Sequence, residues 1–377
     1  MRLRADAVLC LTALLLAAPA AVRASGPGTT SADFLTIGVG ARSAALGGAF
    51  TGLADDVETL AYNPAGIGLL DRKEVGLVHD AYASGINHEW LGGVVPFSWG
   101  AVGASADMLI VDPFPSYDNY DRPIGQTSAF DAAYQFTGAA ALTDSLSVGA
   151  SGKIISSRLA GWSANTQALD GGVLWRPRSS IALGASLLDL GEGLRFISHT
   201  SPLPTALRAG ASWTPFSLRD YEDGLTFAVD AIQPRDGAVY VAGGVEYWYA
   251  GMLALRAGGR SASDAGPGYT LGVGVDLFRN FHRKPELVFD YAFVDSGDFA
   301  TTHRVSLTIK FGRRLRGIMR QPLLTRERPL VEPSPSRPRG LSPWWPARRA
   351  QPAPVKPGAA PAPEPAISPD YDNWIRP

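Results

Sequence analysis

Five histidines are the residues best suited to acid–base or metal chemistry in this sequence, and their spacing supports neither. His79, His88, His199, His282 and His303 are scattered, without the short intervals at which metal ligands recur. The adjacent acid–base pair worth naming is His88-Glu89, near the first outer hairpin. The single cysteine, Cys10, lies in the apolar N-terminal stretch, so disulfides, thiolate sites and cysteine nucleophiles are not expected in the rest of the chain. No H-E-x-x-H, G-x-S-x-G or G-x-x-x-x-G-K-[ST] motif occurs, and Gly38-Val39-Gly40 lacks the third glycine of a dinucleotide fingerprint. The expectation is a protein that is not an enzyme and carries neither metal nor cofactor. A His and a Ser brought together from neighbouring strands would be the arrangement that chain order hides.

A second chemistry lies in charge that would have to be buried. Residues 38 to 66 are rich in Gly and Ala, suited to threading a confined space, and they carry Arg42, Asp55, Asp56 and the pair Asn63-Pro64. Carboxylates in a low-dielectric interior need cationic partners. Lys153, Arg208, Arg256, Arg304 and Lys310 occupy inward-facing positions of the strand pattern set out next, and are the expected partners of the two aspartates. Asn63-Pro64 reads as a tight turn in which the Asn side chain serves local backbone groups. These residues are expected to anchor the segment, with ligand contact as the alternative role.

The elements that would position them are strands. From about Glu74 to Phe311 the chain repeats some ten residues of apolar/polar alternation followed by a turn, the period of a sheet with one apolar face. Val305, Leu307, Ile309 and Phe311 alternate with Arg304, Ser306, Thr308 and Lys310; Leu271, Val273 and Val275 alternate with Thr270, Gly272 and Gly274. Fourteen such segments begin near residues 74, 86, 100, 128, 145, 164, 180, 205, 224, 237, 251, 268, 285 and 303. Beyond the first 25 residues no apolar run reaches the ~18 residues of a membrane-crossing helix. With charged residues at only 18%, the expected fold is all-β: a transmembrane antiparallel β-barrel of about 14 strands. A soluble β-sandwich is the competing architecture.

Alternate connections differ in length. Short ones follow Phe97, Thr143, Arg176 and Tyr249, while Val111–Thr127, Gly191–Pro204 and Val294–Thr302 read as long loops. Short turns are expected at the periplasmic side. Phe97, Trp99, Trp175, Trp213, Phe216, Tyr247, Trp248, Tyr249, Phe278, Phe281 and Phe311 fall at that same end and read as an interfacial girdle. Phe311, ending the last strand, reads as the barrel insertion signal. A short echo, Val102-Gly-Ala-Ser105, Val148-Gly-Ala-Ser151 and Leu183-Gly-Ala-Ser186, continues as Leu207-Arg-Ala-Gly210 and Leu255-Arg-Ala-Gly258. Its inward glycines would let another backbone approach the wall.

The ends of the chain have their own character. Arg2 and Arg4, the apolar stretch Ala7 to Ala18 and Val22-Arg23-Ala24 read as a secretory signal, residues 1–24. Residues 25–72 form the expected N-terminal plug, helical or irregular, and 73–312 the barrel. Residues 313–377 contain 15 prolines in 65 residues and are expected to form a disordered periplasmic tail, a spacer or a dock for a periplasmic partner or the cell wall. From Gly312 onward twelve basic residues face five acidic ones, without the concentrated basic face that nucleic acid needs.

Gly40-Ala-Arg-Ser-Ala-Ala-Leu-Gly-Gly-Ala-Phe50, then Ala54-Asp-Asp56, then Tyr62-Asn-Pro-Ala-Gly66 resembles the N-terminal signature of FadL-fold outer-membrane proteins, most closely their PorV/PorQ-like branch. The signature spans about 30 residues, and the strand pattern extends the similarity to about residue 312. The resemblance implies a barrel in a Gram-negative-type outer membrane, its lumen occupied by the N-terminal segment. It implies support of protein export or surface attachment, with exported proteins or secretion components as partners beside lipid and the barrel assembly machinery. The alternative it carries is a FadL-like transporter of hydrophobic small molecules; the long tail adds a structural or assembly role as a third class.

Overall fold

The computed structural model describes residues 26, 28–82, 85–215, 217–219, 223–261, 268–277, 285–296, 299–312 and 314. The expected signal segment and the chain beyond Arg314 lie outside these residues, as do Phe216, Phe278, Phe281 and His282.

Alternation closes into a ring. In chain order the strands are β1 (Lys73–Tyr82), β2 (Ile86–Phe97), β3 (Gly100–Tyr117), β4 (Pro123–Thr143), β5 (Leu146–Leu159), β6 (Trp162–Arg178), β7 (Ile181–Gly191), β8 (Leu194–Phe196) and β9 (His199–Ser201). They continue as β10 (Ala206–Trp213), β11 (Ser217–Arg219), β12 (Asp223–Pro234), β13 (Tyr240–Tyr249), β14 (Leu253–Arg260), β15 (Gly268–Asp276), β16 (Glu286–Ser296) and β17 (Phe299–Phe311). β8 and β9 make a separate hairpin, and β11 pairs only with the start of β12. The other fourteen form a closed antiparallel barrel. β7 pairs with β10 and β10 with β12, and the ring shuts where β17 meets β1, from Lys73 opposite Phe311 to Ala81 opposite His303. Closure leaves no open edge to satisfy in lipid. The fourteen expected strands are all present, each starting within a few residues of its expected position.

The faces sort as the pattern requires. Leu77, Leu91, Phe136, Leu255, Leu271 and Phe289 point outward and are exposed, whereas Ser151, Asp170, Arg256, Asp290 and Thr308 point inward and are buried. At the short-turn end Phe97, Trp99, Trp213, Tyr249 and Phe311 are exposed, and Phe97 stacks on Trp99 with centroids 5.6 Å apart. Trp248 departs from the expected girdle. It falls on the inward phase, buried with Ala254 and Val288, its ring 5.5 Å from the Arg256 guanidinium.

The expected long loops are instead largely paired. Val111–Thr127 continues β3 and β4 into a ribbon beyond the neighbouring strands, with only residues 118–122 between them. Register shifts at Val111/Phe114 and Ser116/Tyr117 bracket Pro113 and Pro115, which have no N–H for the ladder. The Asp118 carboxylate accepts from the N–H of Tyr120 and of Arg122 and closes the turn. Gly191–Pro204 contains the β8–β9 hairpin and folds inward, burying Leu194 and Leu203. Between Val294 and Thr302, β16 runs on to Ser296 and β17 begins at Phe299.

Candidate functional site

Residues 30–70 fill the lumen. They form short helical turns, at Asp33–Thr36, Ala41–Ala45, Val57–Ala61 and Pro64–Leu69, too short to be stable alone and held by the wall around them. Ala41, Ala44 and Ala45 pack against Ala292 and Val294; Leu60, Ile67 and Val57 pack against Trp90, Val94 and Ala101. Phe50, Leu46, Leu53 and Tyr62 form the plug's own core.

Four echo glycines of the wall, Gly149, Gly184, Gly210 and Gly258, lie where the plug backbone passes, and a fifth, Gly103, lies against the Leu60 side chain. A Cβ on Gly103 would lie 2.9 Å from Leu60 Cδ2, one on Gly149 2.5 Å from the Pro64 carbonyl carbon, one on Gly210 2.8 Å from Gly52 N, and one on Gly258 2.5 Å from Gly47 N. On Gly184 it would overlap the Thr51 carbonyl oxygen. Any larger residue at these points would push the plug inward.

Charge fixes what the glycines admit. The Arg42 guanidinium donates to Asp55 at 2.6 Å, to Asp56 at 2.6 Å and to both oxygens of Glu246 at 2.8 and 2.9 Å. Glu246 also accepts from Arg256 at 2.7 Å, which in turn donates to Asp290 at 2.6 Å. One chain of ion pairs therefore runs from the plug through Arg42 into β13, β14 and β16. Burial alone would lower the Arg42 pKa, but the charges of Asp55, Glu246 and Asp56 hold it well above the ordinary value. Burial, aided by the Asp56 charge, pushes the Glu58 carboxyl up to about 8. Glu58 accepts from Ser43 N at 3.2 Å, and Gly40 leaves the room its carboxyl group occupies.

The wall also captures plug backbone groups. Asp230 accepts from the N–H of Phe50 and Thr51 at 3.1 and 2.9 Å, and Glu74 from Val57 at 3.0 Å. Ser186 donates to the Tyr62 carbonyl at 2.7 Å, Gln135 to that of Leu60 at 2.8 Å, Arg208 to that of Gly48 at 2.6 Å and Arg304 to that of Gly38. On the plug itself, Asp56 caps the Val57–Ala61 turn and Asn63 caps Pro64–Leu69. The Asn63 side chain accepts from Ala65 N at 3.1 Å and donates to the carbonyls of Thr51 and Val173.

Of the residues singled out by sequence, Arg42, Asp55 and Asp56 meet in one cluster. Asn63 and Pro64 lie apart from it, against Gly149 and Gly172 of β5 and β6. Phe311 is on the outer wall, opposite Lys73. The direct ion pairs of both aspartates are with Arg42 of the plug itself and not, as expected, with a wall cation, although Lys310 of the wall lies near enough for its charge to act on them. The wall cations have wall acids: Lys153 with Asp170 and Asp189, Arg208 with Asp230, Arg304 with Asp80, Lys310 with Glu74. His88 and Glu89 do not pair either, because neighbours on a strand face opposite ways. His88 is fully buried in the lumen, 2.6 Å from Asp107, while Glu89 is outside, 2.6 Å from His79. Sequence reasoning passed over Glu246, Asp230 and Glu58. For Glu246 the signal was hairpin register, which sets it directly opposite Arg256, as Asp80 is opposite Arg304.

Beside the plug lies a cleft of about 110 Å³ for water-sized molecules, floored by plug residues Leu35 to Val39, Ala61 and Tyr62. Trp90, Ile232 and Leu188 give it apolar walls; Gln135, Lys153 and Asp189 give it polar ones. Among the described residues no three His, Cys, Asp or Glu side chains are grouped to hold a metal ion.

The model of an uncharacterised protein family, UPF0164, matches residues 13–172. No curated protein matches the sequence. Among solved structures, the toluene transporter TbuX of Ralstonia pickettii is similar over 74% of this chain and 98% of its own, at 16% identity and a TM-score of 0.50. The toluene transporter TodX of Pseudomonas putida is similar over 72% and 97%, at 12% identity and a TM-score of 0.50. At these identities the likeness is one of fold.

Proposed function

We propose that the chain is a non-enzymatic barrel of the outer membrane whose stoppered lumen serves protein export or surface attachment, the role its PorV/PorQ-like signature implies. The observation that carries this reading is the plug. It is tied to the wall by the Arg42–Glu246 pair, by Asp230 and Glu74 on its N–H groups and by Arg208 on the Gly48 carbonyl, and a small, partly charged cleft lies beside it. Such a lumen is built to stay filled, and it leaves the rim and outer hairpins as the surfaces that exported proteins or secretion components would meet. The tail is proposed to lie in the periplasm, reaching a partner there or the cell wall.

A second reading is transport of hydrophobic small molecules. It is favoured by the toluene transporters that share the fold and by Leu35, Ile37, Trp90, Leu188 and Ile232 along the cleft. Deleting the gene and measuring both outputs separates them. Export predicts loss of secreted or surface-attached proteins with toluene uptake unchanged; loss of uptake with an intact surface proteome refutes it in favour of the conduit.

A further inference from the structure

The outer wall carries a cross-strand ion pair between β1 and β2. His79 on β1 and Glu89 on β2 are direct cross-strand partners, joined at 2.6 Å between Nδ1 and Oε1, and both side chains face out. In register beside them are Val305 of β17 and Met108 of β3. Ile154 on β5, Val245 on β13, Leu255 on β14 and Val273 on β15 are apolar outward positions on other strands, while Tyr291 of β16 and His303 of β17 form a second outward polar pair at 2.7 Å. The His79–Glu89 pair borders a groove of about 390 Å³ floored by the β16–β17–β1–β2 wall and edged by Leu77, Leu91, Met108, Phe289 and Leu307.

A carboxylate and an imidazole facing hydrocarbon are costly unless each finds all its hydrogen bonds. Here each spends one atom on the other. His79 Nε2 and Glu89 Oε2 have no further hydrogen bond among the described residues. A donor and an acceptor side by side on one face are self-complementary about a twofold axis: the mate's Glu89 answers this copy's His79, and the reverse. Packing plus a few such polar bonds is what drives association within a membrane.

We infer that the β16–β17–β1–β2 sector is a contact between two copies of this chain within the membrane. His79 and Glu89 are exchanged across a twofold axis, and the mate's Leu77 and Leu91 pack into the adjoining groove. The inference rests on residence in the outer membrane, not on the choice between export and uptake.

The test uses single cysteines in the full chain with Cys10→Ala, oxidised in isolated outer membranes. Leu91→Cys is expected to give a species of twice the chain's mass, while Val229→Cys on β12 gives none. Adding His79→Glu should abolish the Leu91→Cys dimer, and combining it with Glu89→His should restore it. Each variant is shown to be folded by the mobility difference between unheated and boiled samples. Folded Leu91→Cys protein that stays monomeric, forms an adduct of another mass, or dimerises no better than Val229→Cys overturns the contact. Recovery in the soluble fraction overturns the contact and the membrane assignment together.

Discussion

Arg42→Ala is the most informative single perturbation of the plug. It removes five hydrogen bonds and leaves Asp55 and Asp56 without an ion-pair partner among the described residues, while Glu246 keeps Arg256. Removing one partner of a buried pair costs about 3–5 kcal/mol, because the charges left behind remain desolvated. The β-ladder does not pass through Arg42, so the plug bears this cost and the ring stays closed. At ~1.4 kcal/mol per factor of ten, detachment of the plug should become roughly a hundred- to a few thousand-fold more frequent. Native-state hydrogen exchange reads this directly. The amides of Thr59, Tyr62 and Asn63, bonded within the plug, should lose protection by that factor, while amides of β4 and β5 do not change. Adding Asp55→Asn and Asp56→Asn should recover part of the loss by removing the stranded charges. Plug amides within tenfold of the unmodified protein would refute the argument, and would mean that steric fit alone retains the segment.

Two further outcomes follow from the same geometry. Glu58 holds its proton up to about pH 8 in the docked plug but only to about 4.5 when released. The docked form therefore binds more protons, and its stability should fall by about 1.4 kcal/mol per pH unit across that interval, then level off. Plug exchange corrected for intrinsic rates should follow this slope, and Glu58→Gln should flatten it. Gly184→Ala places a methyl on the Thr51 carbonyl and should destabilise by about 1–3 kcal/mol, whereas Gly138→Ala, outward with nothing within 4 Å, should leave the thermal midpoint of heat-modifiable mobility unchanged.

The barrel was legible because its signal is long and redundant: a residue on the wrong phase of any strand would face lipid or lumen incorrectly. That constraint ends where the bilayer ends, which is why Val111–Thr127 read as loop. Beyond the neighbouring strands both faces of the β3–β4 ribbon are exposed, so Phe114, Tyr117 and Ile124 show no clean alternation, and two prolines imitate a chain break. The ion pairs were half legible. Inward cations can be picked out by phase, but their partners require register, and register depends on hairpin turns whose span sequence gives only to within a residue or two. His88-Glu89 shows the same limit, as adjacency along a strand places two side chains on opposite sides of the wall.

The signature and the echo are two halves of one lock, and neither makes physical sense alone. A plug rich in Gly and Ala has only a small apolar core of its own, Leu46, Phe50, Leu53 and Tyr62, so it needs a wall close enough to touch its backbone. A wall with glycine at Gly103, Gly149, Gly184, Gly210 and Gly258 sacrifices strand propensity at those five places, and around an empty lumen would gain nothing in return. Placed together, the small residues bring backbone to backbone, and that proximity lets Asp230 and Glu74 reach plug N–H groups and Ser186 reach a plug carbonyl. The ion pairs then select the register. Arg42 can meet Asp55, Asp56 and Glu246 at once only when the Ala41–Ala45 turn is seated against β15 and β16, where Gly272 leaves room for Ala45. Filling of the lumen is thus written twice, in the first seventy residues and in the strands that surround them.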